Sequence, residues 1–137
     1  MSMHQDRISI ATAGRGLQNI TENVATIVAA SGVEVGLAHV FIHHTSASLI
    51  IQENADPDVR TDLDAFFKRL VPDGDSLYRH IDEGPDDMSA HVRSVLTATA
   101  LTIPVTNGAL ALGTWQGLYL WEHRTSPHSR RVTVTVT

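Results

Sequence analysis

Two periodicities alternate along this chain, and one stretch contains the switch between them. From Ala47 to Ile51 the residues are apolar and β-prone, as a buried strand requires, while His43-His44-Thr45-Ser46 before them and Gln52-Glu53-Asn54 after them are polar. The period then lengthens: Asp56 can cap a helix, Pro57 suits its first position, and Val59, Leu63, Phe66, Phe67 and Leu70 follow at helical spacing. A buried strand thus delivers polar groups to its own ends. Such groups must be hydrogen-bonded, metal-bound or kept for a ligand, because an unpaired buried one costs about 1–3 kcal/mol.

The same reading predicts the other elements. Ile8 and Ile10 alternate with polar neighbours in a first strand from Arg7 to Ala13, which Gly14-Arg15-Gly16 ends. A helix follows, with Ile20, Val24, Ile27 and Val28 as its stripe, Asn19 or Thr21 as its cap and Ser31-Gly32 as its stop. Val33 to His43 is strand-like and joins the Ala47 strand so tightly that the two should be sheet neighbours. The acidic segment Val71 to Asp87 is too long for a mere connector. Asp86 or Asp87 can cap a third helix, with Met88, Val92, Val95 and Leu96 toward the core and His91 and Arg93 on its flanks.

Strand signals fill the remainder: Leu101 to Thr106, the hairpin pair Asn107-Gly108, Ala109 to Leu112, Thr114 to His123, and Arg131 to Thr137. Pro104 belongs at an edge or bulge. The stretch Trp115 to His123 is apolar on both faces, so it should be a central strand covered on both sides. The expected fold is α+β: one domain over residues 1–137, a mixed, mostly antiparallel sheet or sandwich with three helices.

Composition narrows the chemistry. With no cysteine, any metal must be held by histidine and carboxylate. The net charge of −5 argues against nucleic acid as a partner, and no apolar run is long enough to span a membrane, which leads us to expect a soluble, cytoplasmic protein. Eight histidines are more than ordinary usage supplies. Arg124, Arg130 and Arg131 could hold one small phosphorylated ligand, although a solvated strand end is the commoner explanation.

Three histidines, His44, His80 and His91, are candidate ligands for a divalent metal, zinc or magnesium, with Asp87 one helical turn from His91. His43 and His44 point to opposite faces, so only one can join a given cluster. Glu53 could add a carboxylate, and Asn54 precedes a helix start where an anion can bind, although Asp56 would compete with that anion as N-cap. The candidate catalytic groups are His44, Glu53, Gln116 and Glu122, the last two sharing a strand face from which to orient a substrate. Asn54, Arg93, Trp115, Arg124 and Arg130 are candidate substrate contacts, with Trp115 reading more as core than as a stacking platform.

With these residues in hand, the chain resembles the YjbQ family, described as secondary thiamine-phosphate synthases. The matching stretches are H-T-S-A-S-L at His44, E-N-A-D-P-D-V at Glu53, F-F at Phe66, V-P-D at Val71, G-P-D-D-M-x-x-H ending at His91, and G-T-W-Q-G at Gly113 running on to E-H-R at Glu122. The resemblance implies an α+β fold, a homotrimer, and a site near the subunit boundary built from His44, His80 and His91. It also implies the joining of a pyrimidine pyrophosphate to a thiazole phosphate, with pyrophosphate released. Some relatives carry a cysteine where this chain has Ala55. The rival expectations are a trimeric metal- or small-ligand-binding protein without significant turnover, and histidines that merely satisfy one another in an interface. Three helices are also too few to cover one sheet of six or seven strands, which favours assembly.

Overall fold

A computed structural model describes residues 3–137. Its elements follow in the order β1 (His4–Ala11), β2 (Gly16–Asn19), α1 (Thr21–Ser31), β3 (Val35–Ile42), β4 (Ala47–Glu53), α2 (Pro57–Leu70), α3 (Asp87–Leu96), β5 (Ala100–Thr106), β6 (Ala109–Leu110), β7 (Gln116–Glu122) and β8 (Ser129–Val136). The strands form two antiparallel sheets, one ordered β1-β8-β3-β5-β6 and one ordered β2-β7-β4. The expected pairing of β3 with β4 does not occur. Both edges of β3 are already taken, by β8 and β5, so the chain crosses through His43–Ser46 to pair β4 with β7 instead.

The core lies between the sheets. Val40, Ile42, Ile103, Val132 and Val134 of the larger sheet meet Leu49, Leu118 and Leu120 of the smaller one, and α1 adds Ile20, Val24 and Val28. The opposite face of β7 carries Tyr119 and Trp121, both buried, and the Phe67 ring of α2 meets Trp121 edge-on at 4.7 Å. This strand is therefore central and covered on both sides, as its two apolar faces require. Stacking two sheets also answers the shortage of helices, since each sheet covers the other. The outer face of the larger sheet remains bare, with Val35, Leu37 and Phe41 exposed.

Local chemistry explains most of the boundaries. α2 starts where Asp56 accepts a hydrogen bond from Asp58 N–H at 2.9 Å and Pro57 occupies the first turn. α1 stops at Gly32, which takes the left-handed conformation with φ 71°. Its start is capped one position early: Ile20 occupies the cap position but is buried in the core, and Asn19 Oδ1 accepts from Thr21 N–H at 3.0 Å. Asn107 and Gly108, with φ 52° and 74°, make the hairpin between β5 and β6. Pro104 sits on β5 where only the two-residue β6 lies beyond it, an edge that needs no donor.

Two elements depart from expectation. Gly16–Asn19 is a short edge strand paired with β7, not the end of a turn. α3 is turned over: Asp87, Ser89, Ala90, Arg93 and Ser94 are buried, while Val95 is 82% and Leu96 53% exposed. The polar face finds partners inside, where Ser89 donates to Asp73 and Arg93 donates to the Val71 carbonyl at 3.1 Å. Buried polar groups are tolerated where they are hydrogen-bonded, although Arg93 Nε and Ser94 Oγ on this face have no partner among the described residues. Among the described residues no helix is long and apolar enough to cross a membrane.

Candidate functional site

The β4–β7 ladder pairs Ala47 with Glu122 at one end and Glu53 with Gln116 at the other. Six residues of strand separate these ends by about 20 Å. The candidate catalytic groups are split accordingly: His44 and Glu122 lie at the first end, Glu53 and Gln116 at the second. Gln116 and Glu122 do share a face, but they cannot hold one small substrate between them.

The second end is occupied by its own hydrogen bonds. Asn54 N–H donates to the Trp115 carbonyl at 3.0 Å and its side-chain amide to Thr114 O at 3.2 Å. Glu53 accepts from Ala55 N–H at 2.8 Å, and Gln116 Oε1 accepts from Gly113 N–H at 2.7 Å. Gly117 is required by close packing, since a Cβ there would lie 3.0 Å from the Tyr119 ring and 3.1 Å from Asn54 Cβ. Trp115 is 63% exposed, so its expected place in the core is corrected: it follows the turn at Gly113 and precedes the ladder.

At the first end Glu122 and Arg130 are buried against each other, with Arg130 Nε donating to Glu122 Oε1 at 2.8 Å. Thr12 Oγ1 donates to the same oxygen at 2.7 Å, and Arg124 N–H reaches the other at 3.2 Å. Burial alone would raise the Glu122 carboxyl, but these donors and the Arg130 charge hold it below the usual range. Both residues are thus committed to each other. His123, also buried, bonds Ser48 Oγ through Nε2 at 2.7 Å, and Ser48 accepts from Thr97 at 2.6 Å.

His44 accepts the Arg131 backbone N–H at its Nε2, 2.8 Å away, and the Arg130 guanidinium lies 3.4 Å from its Nδ1. Burial, then the neighbouring Arg130 charge, push its pKa down, so the ring is neutral. His43 points the other way, to Thr133 on the outer sheet face, as alternation requires. His44 and His91 do share the wall of a cavity of about 310 Å³, with Thr45, Ser94, Val95 and Thr99.

The structure gathers His80, Asp87 and His91 into one group whose ligand atoms lie within 4.8 Å of one another. His44 is outside it, because its Nε2 lone pair is taken by the backbone, and Asp87 stands in its place. His80 Nε2 lies 2.6 Å and His91 Nε2 3.2 Å from the same oxygen, Asp87 Oδ2. His91 Nδ1 donates to the Thr45 carbonyl at 2.9 Å, which aims its other nitrogen at the carboxylate. Fixing a ring through its far N–H is how metal-binding imidazoles are usually oriented. The Asp87 hydrogen bond raises the His80 pKa. Burial would raise Asp87, but the His80 hydrogen bond and the Arg124 charge keep it low.

Arg124 closes the back of the group. Its Nη1 meets Asp87 Oδ1 at 2.9 Å, its Nε meets Asp86 Oδ2 at 2.9 Å, and Nη2 donates to the Glu83 carbonyl at 2.9 Å. These contacts also pin the long acidic segment, which Arg15 holds from the other side through Asp73 at 2.8 Å. Arg15 drew no attention in the sequence, where it reads only as part of a glycine turn. Arg93 lies on the opposite side of α3 from His91, buried against the end of α2.

A two-layer sheet sandwich with α1 in its core and α2 against the outer face of β7, carrying an imidazole and carboxylate group on α3 and the segment before it, defines a small α+β protein with a candidate cation site. The chain belongs to the YjbQ family: the family model described as UPF0047 protein YjbQ-like matches residues 6–137. It is 58% identical over 133 residues to a UPF0047 protein of Synechocystis, covering 97% of this chain and 90% of that one. The YjbQ protein of Escherichia coli O157:H7 is 41% identical, with 97% and 96% covered. A crystal structure of a YjbQ/UPF0047-family protein from Clostridium acetobutylicum superposes with a TM-score of 0.88 at 35% identity, covering 96% of this chain and 99% of that one. A conserved protein from Thermus thermophilus gives 0.86 at 36% identity, with 96% and 99% covered.

Proposed function

We propose that His80, Asp87 and His91 hold a divalent cation and that the protein uses this site on a phosphorylated small molecule. The observation that carries the reading is the convergence of two imidazole nitrogens and one carboxylate oxygen within 4.8 Å. Two nitrogens and one oxygen suit zinc or another first-row ion better than magnesium, which prefers oxygen throughout. Such an ion would stabilise charge on a departing phosphate oxygen. The chain's own residues hold the site: Thr45 fixes His91, Arg124 fixes Asp87, and neutral His44 lines the adjoining cavity.

For the reaction, we put first the joining of a pyrimidine pyrophosphate to a thiazole phosphate, with pyrophosphate leaving. Support for this particular pair of substrates comes from the family resemblance, and the cation group is compatible with it. Purified protein given both precursors should form thiamine phosphate. No product above a His91→Ala control removes the reaction, and no stoichiometric metal in protein purified without tag or chelator removes the cation.

A homotrimer belongs to the same proposal. It is supported by the resemblance and by the apolar stripe of α3 beside His91, where Val95 and Leu96 are exposed and Met88 and Val92 half-buried. A light-scattering mass of one chain would contradict it.

One observation favours a second reading, a ligand-binding protein without significant turnover. Arg124 and Arg130 are engaged by Asp86, Asp87 and Glu122, so neither guanidinium is left over for a leaving pyrophosphate. Turnover far below the enzyme median of about 10 per second, with tight binding of another metabolite, would decide for it.

A further inference from the structure

Five buried polar side-chain atoms lack a hydrogen-bond partner among the described residues, and four belong to one neighbourhood: Asp64 Oδ1, Arg93 Nε, Trp121 Nε1 and His123 Nδ1. The Trp121 and His123 rings are 5.3 Å apart on the outward face of β7; the Trp121 indole N–H is turned toward the Asp64 carboxyl, on which the Arg93 and Arg15 charges also act. Native structures leave few such atoms unpaired, and since Asp64 and Trp121 face each other, it is Arg93 Nε and His123 Nδ1 that point to a missing partner.

Arg93 is the most informative of the four. It is 1% exposed, and its Nη2 donates to the carbonyls of Phe67 at 3.4 Å and Val71 at 3.1 Å, closing the end of α2. It donates to no carboxylate, and its Nε meets nothing. Asp73 and Asp64 act on its charge without bonding it, and a buried guanidinium with no directly bonded counter-charge is costly unless an anion supplies one. Beside it opens a cavity of about 290 Å³ lined by Arg15, Asp64, Ala65, Lys68 and Arg93. With Arg15 paired to Asp73, Arg93 and Lys68 remain against Asp64, which makes this a positive spot on a chain of net charge −5.

We infer that this cavity binds the phosphate group of a small molecule, as a site separate from the His80, Asp87 and His91 group. Arg93 would supply its charge from the wall and Lys68 a mobile ammonium at the mouth, while Arg15, held by Asp73, would fix the rim. Asp64 tunes the site. Burial pushes its carboxyl up, and in its ionised form it opposes the anion. The inference does not depend on the cation proposal, because Arg93 faces α2 and His91 faces the Thr45 carbonyl.

The test titrates inorganic phosphate into the full chain with chelator present and in the His91→Ala background, so that no bound cation contributes. The Trp121 indole N–H resonance is the readout. Saturable shifts are expected, with affinity weakened about tenfold by Lys68→Glu and strengthened severalfold by Asp64→Asn. Neither of these side chains anchors the fold, so both variants should remain native. Tighter binding of glycerol 3-phosphate than of inorganic phosphate would identify the natural ligand as a phosphate ester, and equal binding as free phosphate. No shift up to about 50 mM phosphate, a concentration beyond which no useful affinity remains, overturns the inference. So does an affinity that both variants leave unchanged.

Discussion

Arg130 meets Glu122 with both groups almost wholly out of water: the two side chains are 5% and 1% exposed, and Nε lies 2.8 Å from Oε1. The pair ties β7 to β8, and through Thr12 and Ser46 it also reaches the end of β1 and the crossing between the sheets. Residues that the sequence offers as a substrate-orienting catalytic group and a substrate contact thus clamp the strand ends on which the candidate site is built.

Breaking this pair on one side leaves the other charge buried alone. Arg130→Met should therefore destabilise the protein by about 3–5 kcal/mol, whereas replacing both residues with apolar ones of similar size should recover much of the loss. Urea unfolding of the two single variants and the double variant would measure the coupling.

His123 gives the fold an acid-sensitive element. Burial first, and then the nearby Arg93 charge, lower its pKa to about 3, so the folded protein keeps the ring neutral where the unfolded chain would protonate it. Between the unfolded value near 6.5 and the folded value, the unfolded state binds more protons. Stability from this residue is complete above that window and falls with pH inside it, by at most about 1.4 kcal/mol per pH unit. The depressed Glu122 carboxyl has the same sign further down: its contribution is lost as pH falls through its lowered value. A His123→Gln variant should show a flatter stability curve between pH 6 and pH 4, measured by chemical unfolding at each pH.

Cation binding should compete with protons at His80. Because Asp87 raises the His80 pKa, the ring holds its second proton to higher pH than an ordinary imidazole, and affinity should fall as pH drops through the raised value. Asp87→Asn should return the His80 titration toward its ordinary position, seen in imidazole proton shifts. The same change, or His91→Ala, should weaken zinc binding at least about a hundredfold in competition with a chromogenic chelator.

The inverted α3 makes its own forecast. With Val95 at 82% and Leu96 at 53% exposed, Val95→Glu together with Leu96→Lys should hardly change the stability of an isolated chain, within about 0.5 kcal/mol per site. Where copies assemble on this stripe, the same pair should reduce the light-scattering mass to that of one chain. An unchanged multimeric mass would move the contact elsewhere, to the bare face of the larger sheet.

The sequence revealed elements well where period and punctuation agreed. α2 runs from Pro57 to Leu70 as its cap, proline and stripe require, and the Asn107-Gly108 hairpin falls where its φ angles demand. It failed where partners far along the chain override local pattern. Nothing near Ile42 says that both edges of β3 are already filled, and nothing in Met88-x-x-x-Val92 says that the polar side of α3 will find Asp73, Val71 and Thr45 waiting. The site was half legible for the same reason. Asp87 and His91 are neighbours by helical spacing and so could be paired in advance, but the capture of His44 by a backbone amide of β8 depends on a strand that comes 87 residues later.

The crossing between the sheets has a consequence for its length. Ile42 closes the core, His43 faces Thr133 outside, His44 turns in to β8, and Ala47 opens the next ladder. Facing alternates with each residue, so removing one residue from this link would exchange the roles of the two imidazoles and draw the Thr45 carbonyl away from His91. Substitutions here change one contact at a time, whereas a deletion changes all of them. Across the family, the number of residues between the two strands should accordingly vary less than their identity.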